Sequence, residues 1–110
     1  MNIAEEYMCK RDGEDKVEFN YCYRLTKSTY KGVPVYGIEI ERKDYVGIKN
    51  VNIERDSIDM ISYEEHKAKD ILKILYRNKL SPIHLVDVVG VYADKFSYEA
   101  DYYIKNHMMN

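Results

Sequence analysis

Apolar and polar residues alternate along VEFNYCYRLT. Val17, Phe19, Tyr21, Tyr23 and Leu25 fall on one side, and Glu18, Asn20, Cys22, Arg24 and Thr26 on the other. A period of two is that of a half-buried strand. KSTYKG, closed by Gly32, reads as a turn, and VPVYGIEIERK as a second strand with Tyr36, Ile38, Ile40 and Arg42 on one face. Pro34 near its start suits an edge or strand-entry position. DYVG makes the next turn. Over residues 46–61, IKNVNIER and SIDMIS read either as a third strand and a shorter fourth or as one strand with a bulge, because ERD between them has turn character. Connections this short favour an antiparallel meander.

The period then changes. In SYEEHKAKDILKILYRNK, residues Ala68, Ile71, Leu72, Leu75 and Tyr76 recur at helical spacing and form one stripe. Ser62 and Glu65 have the spacing of a capping box, and Asn78 is a suitable stop. A second helix follows, with Leu85, Val88, Val89, Tyr92 and Phe96 in register. Gly90 interrupts this pattern at a cost of about 1 kcal/mol relative to Ala. It marks either a close approach of another backbone or an imperfect helix.

Strands first and helices second is the α+β order. The expected fold is an antiparallel three- to four-stranded meander followed by two helices packed on one sheet face. Residues 1–16 are charged and without a sustained period, so they are expected to be a flexible N-terminal arm. Residues 17–97 form the domain, and residues 98–110 an apolar tail or helix extension.

Composition narrows the function classes. The 110 residues hold 45% hydrophobic and 33% charged side chains, which fits one globular domain with a single core. The net charge of −2 comes from interleaved acids and bases, so no nucleic-acid or membrane footprint is expected. Two cysteines, Cys9 and Cys22, are too few for a disulfide scaffold and are expected as reduced thiols. The first residues are acidic where a signal peptide needs a basic and then an apolar stretch, which points to the cytoplasm. Twelve tyrosines with overused Lys, Ile and Asn follow an AT-rich codon bias and need no functional cause.

The densest candidate chemistry is LSPIHLVDVV, Leu80 to Val89. As the start of a helix, Ser81 is the N-cap, Pro82 takes the first turn, and Leu80 with Leu85 form a hydrophobic staple. His84 then sits at the positive end of the helix dipole, with Asp87 one turn on. The same pair is how a general base is prepared, so His84 and Asp87 are weak catalytic candidates. No nucleophile other than Ser81 and no glycine-rich elbow accompanies them. His66 and Asp70, spaced i and i+4, are weak metal-ligand candidates, the more so if they face the first pair. Tyr21, Tyr23 and Tyr36 with Arg24, Arg42 and Lys43 could stack single-stranded RNA, although the alternation places those tyrosines on the side to be buried. No cofactor motif is present.

The VYGIEI stretch, NIERDSIDMIS and above all the run from Ser81 to Val89 resemble a family of small uncharacterised proteins of clostridia and related spore-forming Firmicutes. The resemblance spans Val33 to Phe96. This chain has Gly90-Val91 where the family often carries an acidic residue. The resemblance implies a low-GC bacterial cytoplasm and supplies no activity. The expected function is a non-enzymatic protein-interaction or regulatory module, a homodimer being preferred. Tyr98, Tyr102, Tyr103, Ile104 and Met108 of the tail are the candidate contacts, Tyr and Met being suited to adaptable interfaces.

Overall fold

Strands β2 (Val17–Tyr30) and β3 (Val33–Val46) pair residue for residue, from Val17 opposite Val46 to Tyr30 opposite Val33. A two-residue turn joins them, with φ of +49° at Lys31 and +79° at Gly32. Positive φ at both central positions is the geometry that matches the strand twist. The computed structural model describes the backbone of residues 2–108 and the side chains of residues 2–96.

Residues 2–12 correct the expectation of a loose arm. They form β1 (Asn2–Asp12), antiparallel to β2 from Asn2 opposite Lys27 to Asp12 opposite Glu18. The alternation is hidden because only Tyr7 and Cys9 of the core-facing positions are apolar and packed against the core. Charge pairing holds the opposite side: Glu6 lies across from Arg24 and accepts its Nε–H at 2.7 Å.

Of the two readings of residues 46–61, one strand with irregularities is the one observed. β4 (Lys49–Ser62) is continuous, and Glu54, Arg55 and Asp56 lie opposite Arg42, Glu41 and Ile40. Opposite charges at two of these three positions keep the segment in the sheet. The irregularities lie on either side, where the register slips opposite Asp44/Tyr45 and Tyr36/Ile38. At the second slip the β4 backbone folds over Gly37. A Cβ there would stand 2.3 Å from the Ile58 carbonyl oxygen and 2.4 Å from that of Asp59, so only glycine fits. The sheet order is β1-β2-β3-β4, all antiparallel.

Helix α1 (Glu65–Arg77) buries Ala68, Leu72 and Leu75, as its stripe predicts. The expected capping box does not form. Ser62 Oγ accepts the Glu64 N–H at 2.9 Å and holds the turn before the helix, and Glu64 takes the cap position without a side-chain bond. The far end closes as a Schellman turn: Leu80 N–H donates to the Leu75 carbonyl and Lys79 N–H to that of Tyr76, with Lys79 at φ +51°.

Pro82–His84 form a single 3-10 turn leading into α2 (Leu85–Met108). Ser81 has the extended backbone of a cap, but its side chain makes no cap bond; its carbonyl accepts the His84 N–H at 3.1 Å. Leu80 and Leu85 both join the core, as expected of a staple. The helix passes through Gly90 unbroken. The nearest atom to a Cβ there is Val86 Cγ1 at 3.6 Å, so no other backbone approaches it.

Tyr21, Tyr23, Leu25, Tyr36, Ile38 and Ile40 of the sheet pack under Ala68, Leu72 and Leu75 of α1 and Leu85 and Val89 of α2. Val35 and Phe96 nucleate a second cluster with Tyr30, Met60 and Tyr63. The result is an α+β fold of one four-stranded open sheet with two helices on it.

Candidate functional site

α1 and α2 run antiparallel, because Tyr92, Lys95 and Phe96 return beside Tyr63 to Ile71. They do not close on each other, since α1 rests mainly on β2 and β3 and α2 on β4. The gap is a groove of about 450 Å³, with Ile61, Tyr63, Ile71 and Phe96 as its apolar lining and Glu64, Lys67, Asp70, Tyr92 and Lys95 completing it. The Tyr63 and Phe96 rings meet at 4.7 Å between centroids and make one end rigid. The second helix is amphipathic over a narrower arc than its sequence stripe predicts. Leu85, Val89 and Phe96 are buried, but Val88 is 45% and Tyr92 45% exposed, and Val91 beside them is 67% exposed.

The other side of the sheet carries charge. Arg24 donates to Glu6, to Glu39 at 2.7 Å and to Glu41 at 3.2 Å, and Arg55 Nε donates to Glu41 at 2.8 Å. One alternating row, Glu6–Arg24–Glu41–Arg55, thus crosses all four strands. Burial opposes charge on Glu41, but the bonds from Arg55 and Arg24 outweigh it and hold the carboxyl below its usual range. Burial likewise opposes the Arg24 charge, and the bonds to Glu6 and Glu39 overcome it and raise its pKa. Cys22 lies beneath this row, where burial first and the Glu6 bond second push its thiol up to about 12. Such a thiol is inert. With its charges internally matched, the row acts as structure.

The candidates from the sequence are dispersed. His84 and Asp87 are both exposed, and no hydrogen bond or ion pair joins them among the described residues. His66 is exposed on the first turn of α1, 3.9 Å from the Glu64 carboxylate, and Asp70 lines the groove. The rise of α1 sets His66 and the start of α2 roughly 18 Å apart, so the two His–Asp pairs do not converge. Among the described residues no group of three or more His, Cys, Asp or Glu is placed to hold a metal ion. Tyr21, Tyr23 and Tyr36 are buried in the core beneath the helices and offer no stacking platform. The side chains of Tyr98, Tyr102, Tyr103, Ile104 and Met108 lie outside the described residues.

Fold and groove together define a small two-layer α+β domain with a helix-lined cleft. The chain belongs to DUF6514, a family of unknown function whose profile matches residues 2–95. The match takes in β1, which the sequence resemblance beginning at Val33 leaves out. No curated protein and no solved structure matches the chain. Among the described residues no helix is long and apolar enough to cross a membrane.

Proposed function

We propose that this protein is a non-enzymatic protein-interaction module that takes an amphipathic helix of a protein partner into the groove between α1 and α2. The observation that carries the reading is the pair of unclosed helices. An apolar lining is left open between them, and Val88, Val91 and Tyr92 stay exposed on α2 rather than joining the core. Helix-in-groove recognition uses such a surface: aliphatic and aromatic anchors sit on the floor and charges on the rim set the register. Glu64 and Asp70 with Lys67 and Lys95 mix both signs at the groove, which suits a peptide better than a phosphate backbone. We place the protein in the cytoplasm of a low-GC, spore-forming bacterium, on the strength of its composition and the resemblance centred on Ser81 to Val89. The hydrolase or metal-enzyme reading of His84 and Asp87 gains no support from their separate, exposed positions.

A photo-crosslinking amino acid introduced at Tyr92, in cells of the source organism, tests the reading. Met8, exposed on the outer strand β1, is the reference position. A discrete protein adduct from position 92 and none from position 8 is the expected result. Adducts from position 8 alone, or none from either, would overturn it.

A further inference from the structure

We infer that β4 is a docking edge and that the strand it takes is β4 of a second copy of this chain, so that two sheets join into one across a two-fold axis. The edge lies outside the groove between the helices. Three observations carry the inference.

The first is an unguarded edge. With the order β1-β2-β3-β4, the sheet ends in two strands whose outer backbone N–H and C=O groups have no strand beside them among the described residues. Such a row is a template for one more extended strand. Charged side chains guard an edge against pairing, and β1 carries Glu5, Glu6, Lys10, Arg11 and Asp12. β4 instead has a run without charge, Asn50-Val51-Asn52-Ile53. These four residues are exposed and belong to neither core cluster, with Val51 at 50% and Ile53 at 52%.

The second is a cleft placed to receive a strand. Ile53, Glu54, Arg55 and Asp56 line a cleft of about 380 Å³, completed by Pro82 and Ile83 of the 3-10 turn. Consecutive residues of a strand point to opposite faces, so a cleft that touches all four runs along the edge rather than over one face. Ile83 stands exposed at its wall.

The third is self-complementarity. Paired antiparallel about Ile53, the two strands set Asn52 opposite Glu54, Val51 opposite Arg55, Asn50 opposite Asp56 and Lys49 opposite Ser57. No like charges meet, and the two Ile53 side chains cover each other. Asn52 gives one amide hydrogen to Asp44 at 3.1 Å and has a second for the second copy's Glu54. Centring the pair on Asn52 would set Lys49 against Arg55, and centring it on Glu54 or Arg55 would set that residue against itself. In the Ile53 register the uncharged run of each copy falls opposite the cleft residues of the other. Each copy gives and receives the same segment, which closes the assembly at two.

The test uses the full chain. Sedimentation velocity over a concentration series should show a dimer and no larger species. Ile53→Lys, at an exposed position, should raise the dimer dissociation constant at least tenfold with an unchanged far-UV spectrum, because two lysines then meet on the axis. Hydrogen exchange of the parent should show the amides of residues 50–56 gaining protection as concentration rises, and those of β1 gaining none. A monomer throughout overturns the inference. So does a dimer indifferent to Ile53→Lys whose concentration-dependent protection lies in β1 or the helices. Growth into an open series of larger species overturns it as well, since β4 would then be meeting a different surface and not itself.

Discussion

The Tyr23 hydroxyl, at the centre of the sheet, donates a hydrogen bond of 2.9 Å to the Leu80 carbonyl in the connection between the helices. Burial raises the pKa of this phenol, so it stays a donor. Tyr76 meets the ring edge-on at 5.8 Å, and Tyr7 stacks on Tyr76 at 5.3 Å. The bond fixes where the chain leaves α1 and enters Pro82, and through that the lateral position of α2 and the width of the groove. Tyr23→Phe removes the donor and leaves a carbonyl unmatched. The variant should lose about 1–3 kcal/mol in urea unfolding. A loss below about 0.3 kcal/mol would show that water replaces the bond.

Gly37 should be intolerant of any side chain. The carbonyls of Ile58 and Asp59 occupy the space of its Cβ, and both belong to backbone that cannot swing aside. Gly37→Ala is expected to cost more than about 3 kcal/mol or to prevent folding, which places it among the rare severe substitutions. Thermal unfolding of the purified variant checks this, and a melting temperature within about 2 °C of the parent would refute the close approach.

Gly90 predicts the opposite sign. A methyl group there meets only Val86 at 3.6 Å, and the residue lies inside a continuous helix. Gly90→Ala should therefore stabilise the domain by about 0.5–1 kcal/mol through helix propensity and the unfolded chain. Unchanged or reduced stability would mean that α2 is strained at this point.

The row Glu6–Arg24–Glu41–Arg55 makes stability depend on pH in the acid range. The carboxyls of Glu41 and Glu6 are held below their usual range in the folded protein. Their contribution is therefore complete above the unfolded glutamate pKa of about 4.3, and is lost as pH falls through the lower folded values. The melting temperature should be level from pH 7 to about 5 and drop below about 4. Glu41→Gln should flatten that drop. It should also cost about 1–2 kcal/mol at pH 7, because Arg24 keeps Glu6 and Glu39 and Arg55 is half exposed to solvent. A wild-type curve with no acid limb would contradict the row.

How much of this was legible in the sequence differs by element. β2 and α1 were plain, because their apolar residues recur with the period of the structure they form. β1 was hidden: of its residues only Tyr7 and Cys9 pack against the core, while Glu6 and Lys10 pair with Arg24 and Glu18 of β2 and Glu5 with Lys69 of α1, which leaves no hydropathy period. The continuity of β4 was obscured for the same reason, Glu54, Arg55 and Asp56 resembling a turn until Arg42 and Glu41 are set opposite them. His84 and Asp87 drew attention by residue type, whereas their exposure depends on how far α2 is rotated. The groove could not be read at all. It exists because α2 packs over β4 rather than against α1, and Tyr92, on the stripe expected to be buried yet exposed at the groove, is its trace in the chain.

The groove as a protein-docking surface is tested most directly by the affinity of the protein captured through position 92. Isothermal titration would compare Tyr92→Ala and Lys95→Glu with His84→Ala, three exposed positions whose replacement leaves the core in place. The account predicts at least tenfold weaker binding for the two groove variants and unchanged binding for His84→Ala. Groove variants that bind like the parent, with His84→Ala impaired, would contradict it and return attention to the start of α2.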